Sequence, residues 1–436
     1  MPVDVAVRLW QFIRRAWSSK TLENTFWVGA ASAVSALLGA VSSAFYARSL
    51  GVEDFGVLML IISLVTMMVA LSDLGISGSI VRFGAEAVAR EDKSRFRSVV
   101  AVALQAKLAL SGLILVFSLL FLNPIVGKVF THVNPRIESL FALSLFAVAF
   151  GMAAGFFPPL FQSYMRFRTL AIVSVVPPLV KVIALTILIS AFGSIALGNA
   201  IGLEIGIAAV LFTMSFAFSP RGVLTVFGGD RQLRRQMFSF NKWLSVYYIL
   251  SLLGGRVDLF FVGGLADARA LGLYSSASKI ASIVIIVTNS YLTVLLPELS
   301  SALTPEMIRK KQRHSMMIVV LFAAGIVLLA AVASPVMWLL YGPAYEGGSL
   351  ILQIMCVGLL FTVFAYPLNG TLFARNRTVV FPLMSAIGIS VLVAANWLLI
   401  PRYGAVGAAA AFSLSGCSGF LVSTMVYFLS VRREPA

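Results

Sequence analysis

Charge is scarce in this 436-residue chain: Asp, Glu, Lys and Arg together make up 11% of it, against 60% hydrophobic residues and a mean hydropathy of +0.97. A soluble fold needs far more charge to cover its surface, so the composition is that of a polytopic membrane protein. Histidine is nearly absent: His132 and His314 both fall between apolar runs, and no histidine-based active site is expected. The two cysteines, Cys356 and Cys417, lie inside apolar runs, where neither a disulfide nor a metal site follows from them. Carboxylates are also few, 17 against 33 basic residues. A membrane glycosyltransferase or polymerase needs a carboxylate-rich loop outside the bilayer. The outer stretch 123–138 offers Glu138 alone and the stretch 219–239 offers Asp230 alone, so an enzyme is not expected. No cleavable signal pattern opens the chain; Trp10, Arg14, Arg15, Trp17 and Lys20 suggest a cytoplasmic amphipathic lead-in over residues 1–25. The net charge of +16 would suggest nucleic acid for a soluble protein, but the placement of the basic residues gives a better account.

A spanning helix needs about 20 apolar residues. Such runs occur near 26–47, 55–75, 98–122, 139–163, 169–192 and 195–218, then near 240–264, 271–296, 315–341, 349–373, 379–400 and 404–430. Twelve spans are expected. Positive loops stay cytoplasmic. One alternate set of loops holds Arg8, Arg14, Arg15 and Lys20, then Arg82, Arg90, Lys93, Arg95 and Arg97, then Arg166 and Arg168. It continues with Arg221, Arg231, Arg234, Arg235 and Lys242, then Arg309, Lys310, Lys311 and Arg313, then Arg375, Arg377, Arg432 and Arg433. The opposite set holds only Arg48, Lys128, Arg136, Arg269 and Arg402. Both termini are therefore expected in the cytoplasm of a cell with this protein in its plasma or inner membrane.

Four basic residues remain, all inside spans: Lys107, Lys181, Arg256 and Lys279. Asp73, Glu204 and Asp258 are the acidic residues at depth. A charge in the bilayer costs at least about 2.5 kcal/mol on insertion scales, and it usually faces a wet, protein-lined interior. Three of these groups, Arg256, Asp258 and Lys279, share one helical hairpin, which predicts a polar cavity there. Each has a plainer reading. Asp258 is two positions from Arg256, so the two do not face each other on a helix, and a structural pair with Lys279 across the hairpin is the alternative. Lys107 can snorkel to a headgroup, and Lys181 carries the same alternative. Glu204 reads equally as a proton or cation coupling site and as a partner for Lys181. Asp73, in Ser72-Asp73-Leu74-Gly75, reads as a helix-end residue ahead of a coupling role.

The chain repeats. The stretch from Phe157 to Thr169 (FPPLFQSYMRFRT) resembles that from Tyr366 to Thr378 (YPLNGTLFARNRT), and Leu50-Gly51-Val52-Glu53-Asp54-Phe55-Gly56 has a counterpart in 265–272 (LADARALG). The similar pair 192–198 and 403–408 follows the same order. Six spans per half make a parallel repeat, with a first lobe over 26–218, a cytoplasmic linker over 219–239, a second lobe over 240–430 and a tail over 431–436. Two similar bundles with a site between them suit alternating access. Prolines 158–159, 177–178, 297 and 367 would kink helices and free carbonyls.

Ala47-Arg48-Ser49-Leu50-Gly51-Val52-Glu53-Asp54-Phe55-Gly56, Leu71-Ser72-Asp73-Leu74-Gly75 and Val81-Arg82-Phe83-Gly84-Ala85-Glu86 resemble the first hairpin of the polysaccharide-biosynthesis flippases. These are the O-antigen-type translocases of the multidrug/oligosaccharidyl-lipid/polysaccharide exporter superfamily. Arg256-Val257-Asp258, Gly263, Leu271-Gly272-Leu273-Tyr274-Ser275 and Lys279 resemble their second-lobe hairpin. The resemblance implies an all-α, V-shaped pair of six-helix lobes that flips a polyprenyl-diphosphate-linked oligosaccharide outward. Such a substrate needs cations along its route, which Lys107, Lys181, Arg256 and Lys279 supply, with Arg48 near the outer mouth. Tyr247, Tyr248, Asn289, Tyr291 and Asn369 are available for sugars. No cofactor is implied beyond proton or sodium coupling. Membrane lipids, a polysaccharide polymerase and glycosyltransferases are the implied partners, and no nucleic acid. A multidrug or organic-ion antiporter of the same superfamily is the nearest rival, disfavoured by the excess of buried positive charge. A peptidoglycan-precursor (lipid II) flippase is another; those typically carry fourteen spans.

Overall fold

The computed structural model describes residues 20–220, 222, 230–300, 305–374 and 380–432, and every regular element among them is helical. The first half contains α1 (Lys20–Leu71), α2 (Ile76–Ala89), α3 (Lys93–Phe117), α4 (Asn123–Phe130), α5 (Ile137–Ala154), α6 (Phe157–Ser163), α7 (Phe167–Phe192) and α8 (Leu197–Ala217). The second contains α9 (Arg231–Gly254), α10 (Val257–Leu265), α11 (Ala268–Ser300), α12 (Pro305–Ala331), α13 (Ala333–Tyr341), α14 (Gly348–Ala374) and α15 (Val380–Arg432). Helices are the natural outcome of long apolar runs, because in lipid every backbone N–H and C=O must be satisfied within its own segment.

Two elements are too long for one crossing. At about 1.5 Å per residue, the 52 residues of α1 and the 53 of α15 each exceed twice a hydrocarbon core of about 30 Å. Each contains one non-helical glycine, Gly51 (φ 78°) and Gly404 (φ 55°), at the junction of two expected spans. Positive φ is open to glycine without a steric penalty, so these residues let the chain reverse at the expected outer face. By length and apolarity eight helices among the described residues qualify as spans, or nine if the bent pair Ser315–Ala331 and Ala333–Tyr341 is counted as one. Dividing α1 and α15 at their glycines raises the nine to eleven. The other expected span, 240–264, is broken between α9 and α10 and is not among those eight or nine. Twelve remains the count read from the sequence.

Two stretches and one proline pair differ from expectation. The stretch 219–239 is not all linker, since α9 starts at Arg231. Leu233 and Met237, four residues apart, are buried against the first half and extend the helix. The outer stretch 123–138 is largely helical: five π-helical residues, Ser118–Leu122, carry α3 into α4, where Pro124 sits in the first turn and needs no N–H partner. Prolines 177 and 178 lie inside an unbroken α7. A proline at 178 frees the Ser174 carbonyl, which accepts a hydrogen bond from Ser35 Oγ at 2.9 Å. The lead-in residues Trp10, Arg14, Arg15 and Trp17 lie outside the described residues, as do Arg375, Arg377 and Arg433.

The two halves meet along an outer seam, on the side expected to face outward. Gly56 and Gly272 are counterparts in the repeat and pack against each other reciprocally. A Cβ on Gly56 would lie 2.6 Å from Gly272 N and 2.8 Å from the Ala268 carbonyl; one on Gly272 would overlap the Val52 carbonyl. Around this crossing, Tyr345 donates to the Ala47 carbonyl (3.0 Å), and Phe55 packs on Tyr341 and Tyr345. On the opposite, expected cytoplasmic side, Ser79 bonds Asn241 (2.7 Å), Ser245 bonds the Leu74 carbonyl (2.6 Å) and Arg82 stacks on Phe240.

Candidate functional site

Between these seams, charged groups from both halves converge. Lys181 on α7 donates to both carboxylate oxygens of Glu204 on α8, each at 2.8 Å. Tyr46 on α1 donates to the same carboxylate at 2.9 Å. From the second half, Arg256 occupies the break between α9 and α10 and reaches Ser63 Oγ of α1 at 3.4 Å. Lys279 on α11 lies within electrostatic reach of Lys181, Arg256 and Glu204. Three cations and one carboxylate thus share one locus, contributed by α1, α7, α8, α10 and α11.

Their pairing is uneven. Lys181 is neutralised by a bidentate carboxylate. Among the described residues, Lys279 Nζ makes neither an ion pair nor a hydrogen bond, and two of its three charged neighbours repel it. At membrane depth such a cation requires water or an anion beside it. Arg256, exposed at the helix break, keeps most of its planar fork of donors for a ligand and can grip phosphate oxygens bidentately.

The other expected site residues are elsewhere or otherwise engaged. Asp258 does not pair with Lys279. Its carboxylate accepts from the hydroxyl of buried Tyr274 and from the backbone N–H of Leu259 (2.8 Å). The break at 255–256 places it in the first turn of α10, where a negative charge suits the helix N-terminus. Lys107 does not join the group either. Only 4% exposed, it bonds Ser72 Oγ (2.8 Å) and sits 4.0 Å from Asp73, at the α1–α2 turn. Its flexible stem carries the ammonium to the nearest carboxylate. Asp73 accepts from the backbone N–H of Ser77 (3.2 Å) and from the Ser77 hydroxyl, holding the start of α2. Arg48 donates to the carbonyls of Leu339 and Leu340 (3.1 Å from Nε to the latter), capping the C-terminal end of α13 at the outer seam. Of the five residues considered for sugars, Asn369 lines a cavity in the second half and Tyr248 is exposed. The side chains of Tyr247, Asn289 and Tyr291 lie outside the described residues.

Sequence reasoning missed three features: the Tyr46 and Tyr274 hydroxyls that hold the two carboxylates, and the cavities flanking the charged group. The first cavity, of 420 Å³, lies among α1, α5 and α8; Leu58, Ile61, Val65 and Ile201 are among its walls and Glu204 is its one charged lining residue. The second, of 320 Å³, lies among α9, α14 and α15 and is walled by Thr362, Asn369, Ser385, Ser415 and Ser423 together with aromatic rings.

Comparison with known proteins agrees with this architecture. Residues 21–303 match the family model described as polysaccharide biosynthesis protein. A Shigella flexneri protein named for O-antigen transport is 21% identical over 402 residues, covering 90% of this chain and 94% of that protein. An inward-facing multidrug-resistance transporter of the MATE family in the MOP superfamily superposes with a TM-score of 0.75 at 14% identity, over 91% of this chain and 94% of the other. The lipid II flippase MurJ in an inward-closed conformation gives 0.73 at 15% identity, over 94% and 88%.

Proposed function

Because the chain belongs to the polysaccharide biosynthesis protein family, a family of membrane transporters and not enzymes, we propose that it flips a polyprenyl-diphosphate-linked oligosaccharide from the cytoplasmic to the outer leaflet by alternating access. The observation that carries this reading is Lys279: a cation at membrane depth, without a partner among the described residues, flanked by Arg256 and Lys181. A lipid diphosphate brings the missing negative charge to that locus, and the guanidinium and ammonium groups replace the water its phosphates would lose. An organic cation, the usual cargo of multidrug exporters, would meet repulsion there instead.

Coupling follows from the Lys181–Glu204 pair. When phosphate draws Lys181 away, Glu204 is left half-buried beside Tyr46 and takes up a proton or a sodium ion in exchange. The protein acts in the cell membrane with both termini cytoplasmic, among membrane lipids, receiving substrate from glycosyltransferases and delivering it toward a polymerase.

Replacing Arg256 and Lys279 by alanine tests the reading. Outer-face lipid-linked sugar should fall to background while the protein inserts and purifies as the wild type does. Undiminished transport by the double variant would refute the proposal.

A further inference from the structure

We infer that the 320 Å³ cavity in the second half is a subsite for an uncharged, polyhydroxylated unit, the sugar directly attached to the diphosphate; this rests on the proposed function. Its walls carry hydroxyls and an amide from Thr362, Asn369, Ser385, Ser415 and Ser423, and no charged side chain among the described residues. Those walls offer a phosphate no cation and a sodium ion no countercharge. A sugar needs what is present: donors and acceptors in several directions, and aromatic faces, supplied by Phe412 and Phe420, for its C–H surfaces.

Two further observations point to a ligand. Ser423 Oγ donates to Asn369 Oδ1 at 2.9 Å, fixing that amide, whose N–H donors bond nothing else among the described residues. Asn396 is fully buried on α15, yet neither its amide nitrogen nor its oxygen has a hydrogen-bond partner among the described residues. It lies one helical turn beyond Leu392, which lines the cavity, but does not itself line it. An unpaired buried amide is costly in a membrane bundle, and a hydroxyl reaching it from the cavity one turn away would offset that cost.

Position completes the case. Gly254 lines the cavity, and Arg256, two residues on, belongs to the cation group. Two residues of chain reach about 7 Å at most, so the backbone that carries Arg256 borders the cavity, while its guanidinium extends toward Ser63 of α1. The first-half cavity, with Leu, Ile and Val walls, offers no comparable set of hydroxyls.

The test uses the full chain in nanodiscs. Binding of bare undecaprenyl diphosphate is compared with that of a panel carrying N-acetylglucosamine, N-acetylgalactosamine, glucose or galactose. At least one sugar-bearing lipid should bind about tenfold more tightly than the bare one, the gain of one or two buried hydrogen bonds. Asn369→Leu and Asn396→Leu should each abolish that increment and leave the bare lipid's affinity unchanged. Asn396→Leu should also raise Tm, because it removes an unsatisfied buried amide, an effect that a purely structural role for Asn396 would not give. Arg256→Ala should weaken bare and sugar-bearing lipids alike, so failure of the diphosphate site is distinguishable from failure of the subsite. A panel that binds no better than the bare lipid, or an increment that survives both leucine variants, would overturn the inference. So would stabilisation by sodium over potassium that Asn369→Leu abolishes.

Discussion

The two halves share a repeat, and each encloses a cavity beside the same charged group, but the cavities differ in chemistry. The first is walled by Leu58, Ile61 and Val65, with Glu204 at its edge; the second by serines, a threonine, an asparagine and the glycines 254, 416 and 419. The cations differ likewise: Lys181 of the first half is bound by a carboxylate, and Lys279 of the second is bound by none among the described residues. Symmetry in this molecule therefore extends to the backbone crossing at Gly56 and Gly272 and not to the cavity linings. Under the proposed function, the crossing serves the rocking of the halves and the unlike linings serve chemically unlike parts of one substrate.

The largest effect should come from spoiling the backbone symmetry where it is tightest. Gly272→Ala places a methyl group on the Val52 carbonyl and Gly56→Ala one against Gly272, with backbone on both sides, so neither neighbour can swing away. Each variant should prevent the outer seam from closing and abolish transport. In a cysteine-free background, Ser43→Cys, buried at that seam, should become reactive to an impermeant maleimide in both. Unaltered labelling with intact transport would show that the crossing tolerates side chains.

A smaller effect separates the two kinds of buried lysine. Lys107→Met removes an ammonium already bonded to Ser72 and near Asp73. It should lower stability by about 1–2 kcal/mol while transport per folded molecule stays at the wild-type level. Lys279→Met should do the reverse, sparing Tm and removing transport. A Lys107→Met protein with normal Tm and no transport would return Lys107 to the substrate's path.

How much of this was legible in the sequence depends on what each feature costs. Charged residues at depth stand out in apolar runs, so Lys181, Glu204, Arg256 and Lys279 could be singled out, and Glu204 already had Lys181 as one of its two readings. Their partners were less legible. Tyr274 sits in an apolar run where a tyrosine is unremarkable, and the helix break that steers Asp258 to it is a local turn with no proline to mark it. Gly56 and Gly272 were visible as counterparts, but their contact depends on how the lobes pack, which no one-dimensional pattern records. Asn396 did have a signal, as a lone amide in an otherwise apolar span. An amide carries no charge and so drew less notice than its buried cost warrants.

The smallest effect belongs to Asp73, and it decides between two roles that the sequence could only rank. Its carboxylate accepts two bonds from Ser77 at the start of α2 and lies 4.0 Å from Lys107, with its side chain 27% exposed. Asparagine keeps an acceptor of the same shape and loses only the charge. A capping residue so changed should cost about 0.5–1 kcal/mol, read as a small drop in Tm with transport intact. A carboxylate that carried the coupling ion would behave otherwise, since an amide can neither release a proton nor balance a sodium ion. Transport lost in Asp73→Asn at unchanged Tm would move the coupling step from Glu204 to the α1–α2 turn.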